Sequence, residues 1–340
     1  MPEAPPDAAA SLIIGASLAG RRLDAALSVL LPDMGVRARR RLIARGGVLR
    51  NGHPARAPGL TVRQGDRIRL APPPAPPVFP TAPAAPAVPW LYPARGPRVL
   101  AHRADHVFLF KPAGLHTAAL GGGGDPSLEA LLPALWPERP LRLLQRLDRG
   151  TSGLVCAAAT PEAETAFREA EAHNRVHKGY VALVRGRLEE PVTVRAALAV
   201  NGGPVVRPRA GEAEDPGRWT FFSPLIRWTA REAVAVARAL GVSAPDEPLT
   251  LAACRIGRGA RHQIRAHAAA AGLPLWGDAL YGGGAGALFF LHHGTMRIPG
   301  CGGPPPCSPP WLSALEDAPG GAPDAVRRWM TEASAVAAAV

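Results

Sequence analysis

The sequence predicts an α+β protein in which two domains are joined by a linker rich in Pro and Ala. After residue 96, short apolar runs with the length of buried strands are interspersed with segments of helical periodicity. Residues 72–95 consist mainly of Pro and Ala, a composition that favours extended polyproline and cannot pack a core. Residues 1–71 carry twelve Arg against five Asp plus Glu. We therefore expect a small basic α/β domain over 1–71, ordered from about residue 18, before a larger one.

The first predicted helix of the basic domain covers residues 20–31. Its leucines, Leu23, Leu27 and Leu30, follow helical spacing, and Pro32 is a stop signal. Farther along the chain, an Asn-Gly pair within 48–53 predicts a hairpin. Alternation over 67–70 predicts a strand.

A second predicted helix, 36–45, is unusually basic. Arg37, Arg41 and Arg45 recur at i, i+4 and i+8, and stacked like charges oppose helix formation unless something neutralises them. Phosphates would do so, and the net positive charge of the domain favours a polyanion such as RNA. A basic helix that is merely solvated remains the alternative.

The larger domain contains more predicted strands than helices. Predicted strands are 106–110, 154–158, 180–185, 232–238 and 249–254, and predicted helices are 127–135, 161–173 and 261–271. Residues 201–228 contain no convincing element, so we expect a loop or insertion there.

The octamer Arg146–Gly153 (RLDRGTSG) is the most informative stretch. It places one carboxylate, Asp148, between two guanidinium groups and directly before a buried strand. Nearby positive charge favours the ionised form of a carboxyl group, and a rigid strand holds it in place. This setting suits a nucleophile, although a turn Asp bonded to its own backbone would give a similar pattern.

The octamer resembles the RLDxxTSG signature of the RluA-type RNA pseudouridine synthases. Other stretches resemble further motifs of that family in the same order: Lys111-Pro112-Ala113-Gly114-Leu115, His177–Gly186 (HKGYVALVRG), His262–His267 (HQIRAH), and Gly272–Asp278 (GLPLWGD) with Tyr281-Gly282. The resemblance covers about residues 96–316, which we expect to form the catalytic domain, with 317–340 as a C-terminal tail. In the basic domain, residues 22–70 are similar to the S4 RNA-binding domain.

The resemblance implies a mixed, mostly antiparallel central sheet with helices and an RNA cleft. It implies isomerisation of uridine to pseudouridine, with Asp148 as nucleophile or as base at the ribose. Arg265 would pair with Asp148, and Tyr180 would stack on the uracil and assist removal of the C5 proton. The residues expected to contact RNA are Arg146, Arg149, Ile264, His262, Arg261, Lys111, Arg37, Arg41 and Arg45.

Two positions depart from the family pattern. Gln145 precedes Arg146 where a His is common, and Ala260 replaces an Arg that usually stands two residues before His262. We expect these departures to alter the contact with RNA rather than the chemistry, because Asp148 and the rest of the catalytic set are present.

Composition and spacing limit the other functional classes. Every hydrophobic stretch is interrupted, and the N-terminus lacks the pattern of a secretory signal, so we expect a cytoplasmic protein without membrane contact. We expect no cofactor and no metal. Zinc binding by Cys301 and Cys307 with His292 and His293 is a weak alternative, because the ligand spacing is unusual.

Three functional readings follow. The favoured one is a pseudouridine synthase acting on structured RNA, either large-subunit rRNA or tRNA, with no protein partner predicted. The second is an RNA-binding protein that has kept the fold and lost the activity. The third is a glycoside hydrolase built on Asp148, which would require a second carboxylate nearby. We expect no such acid among the motifs.

Overall fold

A computed structural model describes residues 11–44, 46–71, 96–119, 126–199, 205–284 and 289–335. The predicted linker 72–95 lies outside these residues, as do Arg45 and the side chain of Arg41. The chain divides into two units, one of residues 1–78 with 119–126 and one of residues 79–118 with 127–340.

The smaller unit contains a four-stranded antiparallel sheet in the order β1-β4-β2-β3, with two helices. Its elements are β1 (Ser11–Ile13), α1 (Leu23–Ala26), α2 (Val36–Ala44), β2 (Val48–Arg50), β3 (His53–Pro54) and β4 (Arg67–Leu70). The helix predicted over 20–31 is thus only four residues long. Hydrogen-bonded turns continue it, as in the bond from Leu31 N to Leu27 O, so Leu23 and Leu27 are nevertheless buried together.

Two buried carboxylates neutralise part of the positive charge of this unit. Asp24 pairs with Arg22 and with Arg40 of α2. Asp66 pairs with Arg50 at 2.7 Å. The Asp24–Arg40 pair relieves part of the repulsion among the arginines of α2, whereas Arg37 on the same helix is exposed.

The larger unit is built on a sheet of nine strands within the described residues. Eight follow the order β10-β13-β14-β9-β15-β8-β6-β5, and β7 pairs with β8. Every pairing is antiparallel except that of β15 with β8. The strands are β5 (Arg98–Arg103), β6 (His106–Lys111), β7 (Arg142–Leu143), β8 (Ser152–Ala158), β9 (His177–Arg185), β10 (Val192–Val194), β13 (Thr220–Trp228), β14 (Leu249–Ile256) and β15 (Leu291–Arg297), with a separate hairpin of β11 (Ala196–Ala199) and β12 (Arg207–Glu212). This is the mixed, mostly antiparallel α+β architecture expected from the sequence.

Helices cover both faces of the sheet. They are α3 (Leu128–Leu135), α4 (Pro161–Ala172), α5 (Ala230–Leu240), α6 (Gln263–Ala270) and α7 (Ala322–Ala335). Apolar residues of α3 and α6 pack with one face, and those of α4, α5 and α7 pack with the other. Helix α7 contributes Val326 and Met330 to the core, so the folded unit extends beyond the boundary expected at 316.

Two predictions about secondary structure are wrong. Residues 232–238, expected to be a strand, lie in α5, where a capping box of Thr229 and Glu232 starts the helix and Gly241 ends it in a left-handed conformation. The apparent alternation misled because alanines fit either period, whereas the buried residues Ala233, Val236, Ala237 and Leu240 follow helical spacing.

The expected loop at 201–228 contains strands instead. Strand β13 pairs with β14 along its whole length, and β12 pairs with β11. Pro224 and an irregular register between Pro224 and Ile226 interrupt the alternation that would have indicated a strand. The strand conformation of this segment is therefore determined by its partner strands rather than by its own sequence pattern.

One row of directly paired residues crosses five adjacent strands, β6, β8, β15, β9 and β14. The row consists of Lys111, Gly153, His293, Tyr180 and Cys254. Directly opposite residues project from the same face of a sheet, here the face covered by α3 and α6. We call this set the lateral row. Its Lys111 end adjoins the loop that carries Asp148, because the Lys111 ammonium bonds the carbonyl oxygen of Arg149.

Candidate active site

Asp148 lies in the loop between β7 and β8, and hydrogen bonds fix the backbone on either side of it. Thr117 Oγ1 accepts from Leu147 N at 3.0 Å and donates to Leu147 O at 2.7 Å. On the other side, Thr151 N donates to Asp148 O at 3.1 Å. Thr117 has no part in the sequence analysis, because no local pattern shows that it bonds to a loop thirty residues away.

Lys111, at one end of the lateral row, is hydrogen-bonded to the same loop and to the turn that follows β6. Its ammonium donates to the carbonyl oxygens of Pro112 at 2.9 Å, Leu115 at 2.8 Å and Arg149 at 3.4 Å. The side chain is fully buried, and burial lowers the pKa of Lys111 to about 7, although the negative charge of Asp148 acts to raise it. The RNA contact predicted for Lys111 would require this ammonium to leave its carbonyl partners.

Arg265 brings the carboxylate of Asp148 and α6 together, as the resemblance implies. Its Nη1 donates to Asp148 Oδ2 at 3.1 Å. The arginine side chain is only 6% exposed, whereas that of Asp148 is 23% exposed and so remains accessible. The guanidinium carbon lies 4.3 Å from the ring centroid of Phe289 and 5.0 Å from that of Tyr281. These contacts orient a buried cation towards a partly exposed carboxylate.

Asp278 is a second acid at this site, and the expectation that the motifs hold none is wrong. Its two carboxylate oxygens accept from Arg265 Nε at 2.7 Å and from Nη2 at 2.8 Å, a bidentate pair. Hydrogen bonds and charge from Asp278, with the charge of Asp148, raise the pKa of Arg265 although burial opposes this. Because both oxygens face Arg265 and Asp278 is 1% exposed, it is poorly placed to act as the second carboxylate of a glycosidase.

His262 faces the other carboxylate oxygen of Asp148. Its Nε2 lies 3.9 Å from Asp148 Oδ1, and its Nδ1 lies 3.0 Å from the hydroxyl oxygen of Tyr281. That hydroxyl also accepts from Val206 N at 2.9 Å. His262 adopts a left-handed backbone with φ of 55° immediately before α6, a conformation that costs energy outside glycine. Burial lowers the pKa of His262 more than the charge of Asp148 raises it.

Tyr180 lies between His293 and Cys254 in the lateral row, buried against the imidazole of His293. The two ring centroids are 4.4 Å apart, and the rings are 17° from parallel. Burial raises the pKa of the Tyr180 phenol, and the charge of Asp148 raises it further. The phenol is therefore protonated at neutral pH, so its expected help in removing the C5 proton requires a change of environment when RNA binds.

The residues expected to bind RNA fall into three groups. The exposed group consists of Arg146, Arg149, Arg261 and Arg37. The buried group consists of Ile264 and Lys111, and His262 is half-buried. Arg41 and Arg45 are outside the described side chains. Arg149 also donates from Nε to Gly114 O at 3.1 Å. The RNA contacts themselves remain predictions.

The residues considered for zinc make other contacts. His292 bonds Ser152 Oγ and Cys307 O, both at 2.8 Å, and His293 Nδ1 donates to Leu154 O at 2.6 Å. Among the residues that the structure describes, no group of three or more His, Cys, Asp or Glu side chains is arranged to hold a metal ion. In the same residues, no helix has the length and apolarity needed to cross a membrane.

Comparison with known proteins gives consistent matches. Residues 105–270, which include Asp148, Tyr180 and Arg265, match the family described as RNA pseudouridylate synthase. Ribosomal large subunit pseudouridine synthase D of Xylella fastidiosa is 34% identical over 291 residues, which are 82% of this chain and 78% of that protein. Synthase C of Salmonella typhi is 30% identical over 279 residues, 79% of this chain and 78% of that protein. The solved structure of human RNA Pseudouridylate Synthase Domain Containing 4 matches 64% of this chain and 92% of that chain at 17% identity, with a TM-score of 0.49.

The chain therefore belongs to the RNA pseudouridine synthases, isomerases that act on uridine in RNA. Within that class it is of the RluA type, as its similarity to ribosomal large subunit pseudouridine synthases C and D indicates. The reading as an RNA-binding protein without activity is not favoured, because the matching family and the relatives named above are pseudouridine synthases.

We predict that Asp278→Asn slows pseudouridine formation at least tenfold, a loss of roughly 1.4 kcal/mol or more of transition-state stabilisation. The substitution keeps the shape of the side chain and removes the charge that orients Arg265 towards Asp148. The measurement is the single-turnover rate at saturating RNA, with thermal unfolding beside it. Asp246→Asn is the matched control, because Asp246 forms an exposed ion pair with Arg185 at 3.5 Å. Equal rates in the two variants would contradict the prediction.

A second prediction concerns Lys111→Met, which keeps an unbranched chain without the ammonium. Folded Lys111, with its pKa at about 7, loses its proton at lower pH than the unfolded side chain, so the unfolded state binds more protons above pH 7. The unfolding free energy of the wild type, relative to the variant, should therefore rise with pH from 7 to 9. The rise is at most about 1.4 kcal/mol per pH unit.

Urea unfolding followed by Trp fluorescence measures this difference at each pH. The signal reports the larger unit, because residues 1–78 contain no Trp. Parallel pH curves for the two proteins would show that the ammonium keeps its ordinary pKa.

Proposed function

We propose that this enzyme isomerises uridine in large-subunit ribosomal RNA, with Asp148 as the reacting carboxylate. The observation that carries the proposal is the partly exposed carboxylate of Asp148, held at 3.1 Å by a buried arginine. The choice of ribosomal RNA rests on the relatives from Xylella fastidiosa and Salmonella typhi, whose names state that target. Transfer RNA is the alternative that the experiment below tests.

The reaction rearranges one nucleotide without adding or removing an atom. The N1–C1′ bond of uridine breaks, the uracil turns, and a C5–C1′ bond forms. The C5 hydrogen leaves as a proton, and N1 gains one. Because stacked bases hide these atoms, the uridine has to leave its stack before Asp148 can reach the ribose.

The side chains around Asp148 take distinct roles in this proposal. Arg265 orients the carboxylate and offsets its charge, and Asp278 holds Arg265. Tyr180 contacts the uracil, and Ile264, which packs in the same apolar cluster, lines the pocket. Asp148 acts at C1′ as nucleophile or at the ribose as base.

Exposed arginines supply the contact with the RNA backbone. Arg146, Arg149 and Arg261 are the exposed cations nearest in sequence to the catalytic residues. Guanidinium groups suit phosphate because they form bidentate hydrogen bonds and keep their charge. Arg146 has a second possible role, which is to fill the space that the displaced base leaves.

We also propose that residues 1–71 form an S4-like RNA-binding domain. The unit has its own apolar core, and its exposed Arg37 lies on α2, the basic helix. Of the arginines whose positions are described there, Arg22, Arg40 and Arg50 already pair with Asp24 or Asp66. Arg37 is therefore the arginine on α2 best suited to contact phosphate.

The chemistry is tested by tritium release from RNA transcribed with uridine labelled at C5. We expect the wild type to release tritium from large-subunit ribosomal RNA and Asp148→Asn to release none while binding RNA with similar affinity. Removal of the only reacting carboxylate should lower the rate by at least about 10³-fold. Release by Asp148→Asn would assign the chemistry to another residue. Release from tRNA but not from ribosomal RNA would overturn the proposed target.

We predict that Arg37→Glu weakens RNA binding and lowers the dependence of affinity on salt by about one unit of log–log slope. Filter binding between 50 and 300 mM salt measures both quantities, with single-turnover rate at saturating RNA expected to be unchanged. Arg231→Glu, which makes the same charge change at an exposed site at the start of α5, is the control. Equal losses in the two variants would mean that only net charge matters.

A further inference from the structure

His293 has no place in the family motifs or in the roles proposed so far, yet it lies at the centre of the lateral row. Strand β15 runs between β8 and β9, and His293 is paired with Gly153 on one side and with Tyr180 on the other. It therefore lies between the strand that follows the Asp148 loop and the strand that carries Tyr180.

The backbone approaches His293 closely from the side of β8. A Cβ atom on Gly153 would lie 2.2 Å from the carbonyl oxygen of His293, and Gly153 has a φ of 119°. Only glycine satisfies both conditions, since other residues strongly disfavour that φ. The packing of β8 against β15 therefore leaves His293 little freedom to shift away from Tyr180.

A hydrogen bond fixes the orientation of the imidazole. Nδ1 lies 2.6 Å from Leu154 O, and because a carbonyl oxygen only accepts, Nδ1 carries the proton. Gln145 Nε2 donates to the same oxygen at 3.1 Å. The side chain is fully buried, and burial lowers the pKa of His293 to about 3, so the ring is neutral.

The ring contacts one face of Tyr180. With centroids 4.4 Å apart and planes 17° from parallel, the imidazole covers that face of the phenol. A target base can then reach Tyr180 only at its opposite face or its edge. A neutral ring provides this flat surface without placing a charge against Tyr180.

We propose that His293 is a positioning residue for the isomerisation: its imidazole, fixed by Leu154 and stacked on Tyr180, sets the plane in which Tyr180 meets the target uracil. The inference rests on the role proposed above for Tyr180. His293 touches neither Asp148 nor the RNA backbone in this account, and it acts through Tyr180 alone.

A matched pair of variants separates the flat ring from the other properties of His293. His293→Phe keeps a planar ring, and His293→Leu fills the space without one. Both lose the Nδ1 donor, and Leu154 O retains Gln145 in either case. We expect His293→Leu to lower the single-turnover rate at saturating RNA by about tenfold, while His293→Phe stays within about threefold of the wild type. RNA affinity should be unchanged in both.

His292→Leu is the control for loss of a buried histidine. His292 is equally buried on the same strand but projects from the opposite face of the sheet, where it bonds Ser152 and Cys307. We expect it to lower the thermal stability without changing the rate per folded molecule. If His293→Leu does not fold, His293→Met provides the non-planar variant.

Two results would overturn the inference. One is a wild-type rate in the non-planar variant, and the other is an equal loss in His293→Leu and His293→Phe, which would assign the effect to the lost Nδ1 donor. Tyr180→Leu, which removes the aromatic ring, is measured in parallel and separates this proposal from the one it rests on. An impaired Tyr180→Leu beside an unaffected His293→Leu overturns the role of His293 alone, whereas an unimpaired Tyr180→Leu removes both roles.

Discussion

The active site depends on one buried guanidinium shared by two carboxylates. Arg265 uses two nitrogens to hold Asp278 and a third to hold Asp148, so a single side chain links α6, the segment that follows it and the catalytic loop. Asp278 and Arg265 are almost fully buried, whereas Asp148 is partly exposed. The Arg265–Asp278 pair is buried away from water, and it fixes the direction in which Arg265 meets Asp148. An exposed arginine would also be hydrated, so its attraction for Asp148 would be weaker and would orient the carboxylate less firmly.

The loop that carries Asp148 is held by the sheet as well as by Arg265. Lys111 donates hydrogen bonds to three carbonyl oxygens of the loop and the neighbouring turn, and Thr117 Oγ1 bonds both the N–H and the carbonyl of Leu147. These contacts come from the strand and turn that precede the loop in sequence. Asp148 thus lies in a loop whose backbone is hydrogen-bonded to the adjoining strand and turn, an arrangement that suits chemistry requiring accurate placement.

The motifs of the resembled family, which lie at strand ends and at a helix start, predict Asp148, Tyr180 and Arg265 as site residues. The Asp148–Arg265 pair is observed, and the catalytic roles stay predictions. Asp278 stands in one of those motifs, but the motif alone does not show that it holds Arg265. Thr117 and His293 have partners distant in sequence, and pairing across a sheet has no local signature. The errors at 232–238 and 201–228 have the same origin. Alanine fits either period, and β13 takes its conformation from β14 rather than from its own pattern.

The insertion of β15 between β8 and β9 also has a consequence for how the chain folds. Strands β8 and β9 are joined through α4, yet they are separated in the sheet by a strand whose His292 lies 140 residues beyond its partner Ser152. Closing such a long loop makes the central pairing slow, because its entropy is lost before the contacts form. Until β15 arrives, β8 and β9 each present an unpaired edge and could join one another directly. Direct pairing of β8 with β9 would exclude β15 from the centre of the sheet and leave the lateral row without His293.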